Sequence, residues 1–433
     1  MGWRSRVRRR VRQPSKRRAL LLAACSTFLV AFALVGFVSA ATPHLAVDGD
    51  RPATNTLVGL QGYQDEGGAM MVAPNGTVVW EYTAVGNVFD VEALGPNRIQ
   101  IAGSDERPDS QCPARYATDN VSGCAHNTVR IVDPRTDETR WRYGWYDVER
   151  HEHELHDVDH YTVDGADRWV LADMGNDRVF AIDRNGSIRW QWNANATYDR
   201  PANVGPEGDW THMNDVDRLG DGRFQVSLRN FDTVIELRVA PNGSVSVTPV
   251  LGPNRYTSAG YVGPLAAQHN PDRLANGHVL VADSEGDRVV EFDREGERVW
   301  AAGGSARFDW PRDADRLSNG NTLVTDSYND RVVEVDANGE TVWAVKTGRL
   351  PYDADRVPAE GAGEGSSDHP TADEPRFDSR LNETGRTVRA ATFGVTLAKY
   401  GLPMWLVGGP GLLVAGLGFG FAALVEAQRW RRS

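Results

Sequence analysis

Lysine is almost missing from this chain. Only Lys16, Lys346 and Lys399 occur, so 44 of the 47 basic residues are arginine. Acidic residues are in excess, and the surplus is uneven. The first 18 residues hold nine bases and no acid, and the last eight hold Arg429, Arg431 and Arg432 against Glu426. Between them 35 bases face 58 acids, a net charge of about −23. Such a surface repels a polyanion, which excludes a nucleic-acid partner. An acid excess with so little lysine is the balance expected of a salt-adapted protein, because carboxylates hold hydration. Cysteine is as scarce, with three in 433 residues. Cys25 falls in an apolar run, which leaves Cys112 and Cys124 as a pair twelve apart. In an exported loop that spacing predicts a disulfide, and too few ligands lie nearby for a metal centre.

The ends of the chain read as membrane anchors. A basic arm, 1–18, precedes an uncharged apolar run of 23 residues, 19–41, long enough to span a bilayer with the arm inside. A cleaved signal peptide competes with this reading, since Val38-Ser39-Ala40 resembles a cleavage site. A second glycine-rich apolar stretch, 399–425, precedes a basic tail, 426–433. Both termini are then cytoplasmic, the protein sits in the cell membrane, and the domain at 52–357 lies outside. An acidic Gly/Ser/Pro-rich segment, 358–398, tethers that domain to the second span.

The centre of the chain is a repeat. The stretch from Ala267 to Trp300 holds a polar entry with His269, the alternating strand HVLVAD, the strand RVVEFD and a closing strand at Trp300, separated by Gly turns. The unit recurs at Trp310–Trp343 and at His156–Trp190. A period of about 40 residues, in units that cannot bury both faces alone, predicts an all-β fold, a β-propeller. Six blades are expected, with Asp353–Val357 returning to close against residues 56–82. The tryptophans at the blade ends, Trp80, Trp141, Trp190, Trp300 and Trp343, read as packing between blades.

A recurring acid marks each innermost strand: Glu92, Asp159, Asp217, Asp272, Asp315 and Asp355. These read as ties between inner strands. The residues three places earlier are Phe89, His156, Asn214, His269, Arg312 and Tyr352, and they form the candidate site. His212, two before Asn214, is expected on the same strand face, and Arg229 follows on the next strand. Three imidazoles and two guanidiniums suit a small tetrahedral oxyanion. The run His151–His160 resembles a metal site, but only alternate residues of a strand share a face, so no metal is expected. A calcium-dependent lactonase-type propeller would need carboxylates converging in the channel, where this ring presents imidazoles and guanidiniums.

The segments AQHNPDRLANGHVLVAD around His269, THMNDVDRLGDGRFQVSLRNFDTVIEL from Thr211 and LHDVDHY at His156 resemble the arylsulfate sulfotransferases. So does the opening GLQGY…MMVAPNGTVVWEY. The resemblance implies sulfuryl transfer from a phenolic sulfate ester to a phenol, independent of a nucleotide sulfate donor and of any cofactor. His269 matches the covalent nucleophile, and His156, His212, Asn214 and Arg229 match residues that bind the sulfuryl group and the bridging oxygen. In that scheme a second histidine protonates the leaving phenolate. Thr325 is a candidate for the family's late threonine, without a motif that places it, and the family's extended N-terminal domain has no counterpart here. The alternative reading is a non-catalytic surface propeller, like those of the NHL or quinoprotein type, that holds a glycan or a protein.

Overall fold

Inner, middle and outer strands carry different burial patterns, and these decide the architecture. The middle strands Val279–Asp283 and Thr322–Asp326 are buried at every residue, whereas outer strands such as Val78–Tyr82 alternate. The alternation expected of HVLVAD is therefore lost. Its strand is covered on both faces by neighbouring sheets, which removes the polar face. The computed structural model describes residues 52–357 apart from 63–66, 96, 117–122, 149–152, 201–208, 253–255, 258–259, 262–263 and 305–306. The basic arm, both apolar runs, the acidic linker and the tail lie outside the described residues. Among the described residues no helix is long and apolar enough to cross a membrane.

The fold is all-β, a propeller-like arrangement of small antiparallel sheets. Four separate four-stranded sheets contain the inner strands Leu155–Val163, Met213–Gly220, His269–Arg273 and Pro311–Arg316. An eight-stranded sheet holds the remaining strands of this pattern. Within it, Thr56–Gln61 and Asn87–Gly95 meet through one residue pair, Gln61 with Asn87. Leu350–Arg356 pairs antiparallel with Thr56–Gln61, matching Leu57 to Asp355, so the last described strand closes on the first. The inner strands neighbour one another in cyclic order, from Asn87–Gly95 around to Leu350–Arg356 and back.

Four of the blade-end tryptophans link one repeat to the next. Trp80 donates from Nε1 to Asp137 at 2.8 Å, Trp141 to the Arg184 carbonyl at 2.9 Å and Trp300 to the Ala337 carbonyl at 2.9 Å. Trp343 donates to the Pro74 carbonyl at 3.1 Å and joins the last repeat to the first. Each acceptor lies in the hairpin turn of the following repeat. Trp169, Trp300 and Trp343 are fully buried, and Arg316 and Arg356 stack over Trp300 and Trp343. An indole here fills the wedge between two splayed sheets and also satisfies a turn carbonyl.

Trp343 is thus a joint of the ring, and its replacement is expected to be costly. Trp343→Ala should destabilise the domain by about 3–5 kcal/mol, and Trp343→Phe, which keeps most of the ring but loses the N–H, by about 1–2 kcal/mol. Thermal melts of the two variants check the order; a Trp343→Phe variant that melts like the parent would show that the hydrogen bond to Pro74 contributes nothing.

Candidate functional site

The residues singled out on the inner strands are all buried. Phe89, His156, Asn214, His269, Arg312 and Tyr352 are each at most 4% exposed. A spacing of three between each of them and the following acid would put the two on opposite faces of a regular strand. The ladders show how both face the channel. Pairing skips Phe89, His156, Asn214, Arg312 and Tyr352, and it breaks again between His269 and Asp272. Every site residue therefore sits at a β-bulge, which re-aims one side chain without ending the strand.

A second device sets the entry to these strands. His212, Ala267 and Trp310 lie two residues before Asn214, His269 and Arg312, and all three are left-handed, with φ of 47°, 50° and 54°. Non-glycine residues rarely adopt this conformation, at a cost of about 1–2 kcal/mol. Aspartates from the preceding sheet hold them there. Asp177 accepts from the Thr211 amide at 2.8 Å, Asp232 from the Ala267 amide at 2.6 Å and Asp287 from the Trp310 amide at 3.2 Å. The periodic reading of His212 is corrected by this geometry. It precedes the strand Met213–Gly220 and does not share a strand face with Asn214; the left-handed kink delivers it to the site.

Together these devices bring the imidazoles into one cluster. The rings of His156 and His212 are 5.4 Å apart, His269 lies 5.9 Å from Tyr352, and Tyr352 donates to His156 Nδ1 at 2.8 Å. Phe89 stacks on His156 at 4.5 Å, and Arg312 lies over both Trp310 and Tyr352 at 4.7 Å. Arg312 also bonds Gln61. Asn214 donates to the Gln268 carbonyl at 2.9 Å, and Gln268 in turn donates to Ser227 at 3.1 Å. The Nε atoms of Arg229 and Arg312 and Oδ1 of Asn214 are buried without protein partners. Thr325 bonds the Tyr352 carbonyl at 3.2 Å and supports that strand.

The tautomers follow from the partners. His269 Nδ1 faces the Ala267 carbonyl at 3.1 Å and Ser284 Oγ at 2.8 Å, while Ser284 gives its own proton to the Pro311 carbonyl at 2.7 Å. Both neighbours therefore accept, Nδ1 carries the hydrogen and Nε2 keeps a lone pair. His212 Nδ1 lies 2.9 Å from Asp209, which likewise leaves its Nε2 lone pair free to act. His156 is the reverse. Its Nε2 faces the Glu154 carboxylate at 3.4 Å, an acceptor, so Nε2 carries the hydrogen and Nδ1 accepts from Tyr352. Burial lowers all three imidazoles, and the charges of Arg229 and Arg312 lower them further. His156 is pushed down to about 3. Burial holds the Tyr352 phenol above its ordinary value, so it stays protonated and donating. Neither Ser284 nor Asp209 stands out in the sequence, since their distance along the chain from the imidazoles follows no local pattern.

Carboxylates converge next to this cationic cluster, one residue and three residues past the bulge. Asp90, Asp157, Asp215, Asp313 and Asp353 form one set, and Glu92, Asp159, Asp217, Asp272, Asp315 and Asp355 the other. They tie inner strands together, as expected. Asp157 and Asp159 accept from the Val216 and Arg218 amides at 2.7 and 2.6 Å, and Asp353 and Asp355 from the Val91 and Ala93 amides at 2.8 and 2.9 Å. The expectation that the channel lacks converging carboxylates is corrected: it overlooked the residues one place past the ring. Even so, among the described residues no three His, Cys, Asp or Glu side chains stand close enough to hold a metal ion. His151 lies outside the described residues. The expected disulfide between Cys112 and Cys124 is present.

No protein-family profile and no curated protein matches the chain. Several solved structures are distantly similar to it. They include the periplasmic gluconolactonase of Pseudomonas aeruginosa, 15% identical over 70% of this chain and 99% of that one, with a TM-score of 0.44. A Bacteroides caccae protein of unknown function is 14% identical over 70% and 98%, with a TM-score of 0.46. Virginiamycin B lyase of Staphylococcus aureus is 9% identical over 70% and 89%, with a TM-score of 0.39.

Burial and the neighbouring carboxylate Asp159 push Asp157 up to about 7 from an ordinary 3.8. The folded state then binds a proton that the unfolded chain releases near pH 4, and this stabilisation is lost as pH rises through 7. Asp157→Asn keeps an oxygen acceptor for Val216 but cannot ionise. Its melting temperature relative to the parent should therefore rise between pH 5 and pH 8; a flat difference would mean that Asp157 ionises freely in the fold.

Proposed function

We propose that the buried histidine cluster transfers a sulfuryl group from an aryl sulfate to a phenol. The observation that carries this reading is the environment of His269: a neutral imidazole with its proton fixed on Nδ1, beside two guanidiniums whose Nε atoms lack protein partners. A nucleophilic nitrogen facing fixed positive charge suits attack on an anionic ester of sulfur. The Nε2 lone pair of His269 forms the N–S bond as the S–O(aryl) bond breaks, and the bonding pair leaves on the phenolate. Arg229, Arg312 and the His156 Nε2–H stabilise the sulfuryl and phenolate oxygens. In the second half, the acceptor phenol gives its proton to His212 Nε2 while its oxygen attacks sulfur, and the N–S pair returns to His269. The imidazolium of His212 releases that proton to solvent or to the departing phenolate.

One role implied by family resemblance changes in this scheme. His156 is neutral, and a neutral imidazole is far too weak an acid to protonate a phenolate, so it contributes a hydrogen bond. Asp209 orients His212 and stabilises the cation that forms when His212 takes the proton. Phe89, Trp310 and Tyr352 give the aryl group apolar faces against the cluster. The same proposal takes the domain as six blades closed by Leu350–Arg356, carried outside the cell membrane by the spans expected at 19–41 and 399–425.

The test is phenol-dependent release of nitrophenolate from 4-nitrophenyl sulfate in high salt. The parent should turn over, and His269→Ala should lose about a thousandfold or more of kcat/KM while melting normally. Because the imidazoles are depressed, the acid limb of kcat/KM should fall well below pH 6.5. A folded parent that is inactive across several donors and acceptors would sink the enzyme reading in favour of a binding propeller.

A further inference from the structure

Away from the histidine cluster, a cleft of about 370 Å³ opens between neighbouring sheets. One wall is the outer strand Glu138–Val148, which brings Trp145 and Asp147, and the other brings Asn176, Arg178 and Gln191. Tyr146 and Asn193 add to these walls, and Tyr116 completes the lining. It is carried by the loop that the Cys112–Cys124 disulfide closes, and that loop is held again where the Gly123 amide donates to Asp109 at 2.6 Å. The sulfuryl-transfer reading gives this disulfide no task. Here it fixes an aromatic side chain at the rim of a cavity.

The chemistry of the lining narrows the ligand. Asp147 faces His153 at 3.4 Å and Arg178 is paired with Asp173 at 2.6 Å, so both charges already have partners and the cleft selects neither an anion nor a cation. Asn176 and Gln191 are exposed amides, each able to donate and to accept. Asn176 already donates to Asp147 at 2.7 Å, which fixes a carboxylate oxygen and an amide side by side. Trp145 is braced edge-on against Phe180 at 5.6 Å, and its Nε1–H is buried with no partner. A buried donor without an acceptor is costly unless a ligand supplies one. A neutral molecule that has many hydroxyls and apolar ring faces fits all of these groups.

We propose that this cleft is a saccharide-binding site, separate from the histidine cluster and independent of the sulfuryl-transfer reading. Planar amides and the carboxylate take the hydroxyls in pairs, Tyr116 and Trp145 offer apolar faces, and the Trp145 N–H meets a ring or hydroxyl oxygen.

The experiment uses the full chain, prepared without glycoside detergents, whose headgroups would compete. D-glucose, D-galactose, D-mannose, maltose and cellobiose are titrated one at a time, followed by saturation-transfer NMR and tryptophan fluorescence. At least one should bind saturably with a Kd of about 0.1–10 mM. Trp145→Phe, which keeps an aromatic ring but loses the N–H, and Gln191→Ala, at an exposed position, should each weaken it by about fivefold or more. His269→Ala should bind the sugar as the parent does. The proposal is overturned if none of the five binds saturably to the folded chain, if both cleft variants bind like the parent, or if His269→Ala abolishes binding and so moves the site into the channel.

Discussion

The hydrogen bond from an inner-strand amide to a carboxylate on the neighbouring inner strand is the contact on which the rest of the domain depends. Inner strands of adjacent sheets splay apart and cannot form a ladder, yet their amides are buried and need acceptors. Asp157, Asp159, Asp353 and Asp355 supply them across the gap. The solution places acids against one another at the centre of the domain. Asp90, Asp215, Asp313 and Asp315 are all held well above the ordinary carboxylate range by burial and by their neighbours' charges. Protonation relieves that repulsion, and the arginines of the adjoining histidine cluster carry charge of the opposite sign.

The histidine cluster is assembled by departures from regular structure. A bulge in each inner strand sends one side chain into the channel together with the acids, and in the strands of Asn214, His269 and Arg312 a left-handed residue two places earlier bends the entry. Such conformations are costly and persist only where the surroundings enforce them, which the aspartate bonds to Thr211, Ala267 and Trp310 do. The result is three imidazoles of unlike tautomer gathered around Tyr352 and the two arginines, two presenting a lone pair and one an N–H. That asymmetry sets two nitrogen lone pairs beside one N–H donor, the combination that the proposed sulfuryl transfer calls for.

The structure also separates two kinds of chemistry. The channel is buried and charged, and its imidazole nitrogens are set by partners from outside their own strands. The cleft at Trp145 and Gln191 is open and charge-balanced, and a cross-linked loop completes it. A propeller can carry both because the inner-strand entries and the clefts between outer strands are built from different residues of the same repeat.

By itself the sequence determined the repeat, the all-β class, the closing strand, the packing role of the tryptophans, the disulfide pair and the identity of the residues in the histidine cluster. These are local facts. Periodicity, turn glycines and one aromatic per unit are written within about 40 residues, so they survive without knowledge of distant contacts. Only the tertiary structure decided how His212 reaches the site, which nitrogen of each imidazole carries its hydrogen, that Asp90, Asp157, Asp215, Asp313 and Asp353 join the acids in the channel, and that Tyr116 and Trp145 line one cleft. Each depends on a partner from another strand or another sheet. Bulges and left-handed residues also break the two-residue period on which strand reasoning rests, so the sequence named the participants while the packing of neighbouring sheets fixed their directions and protonation.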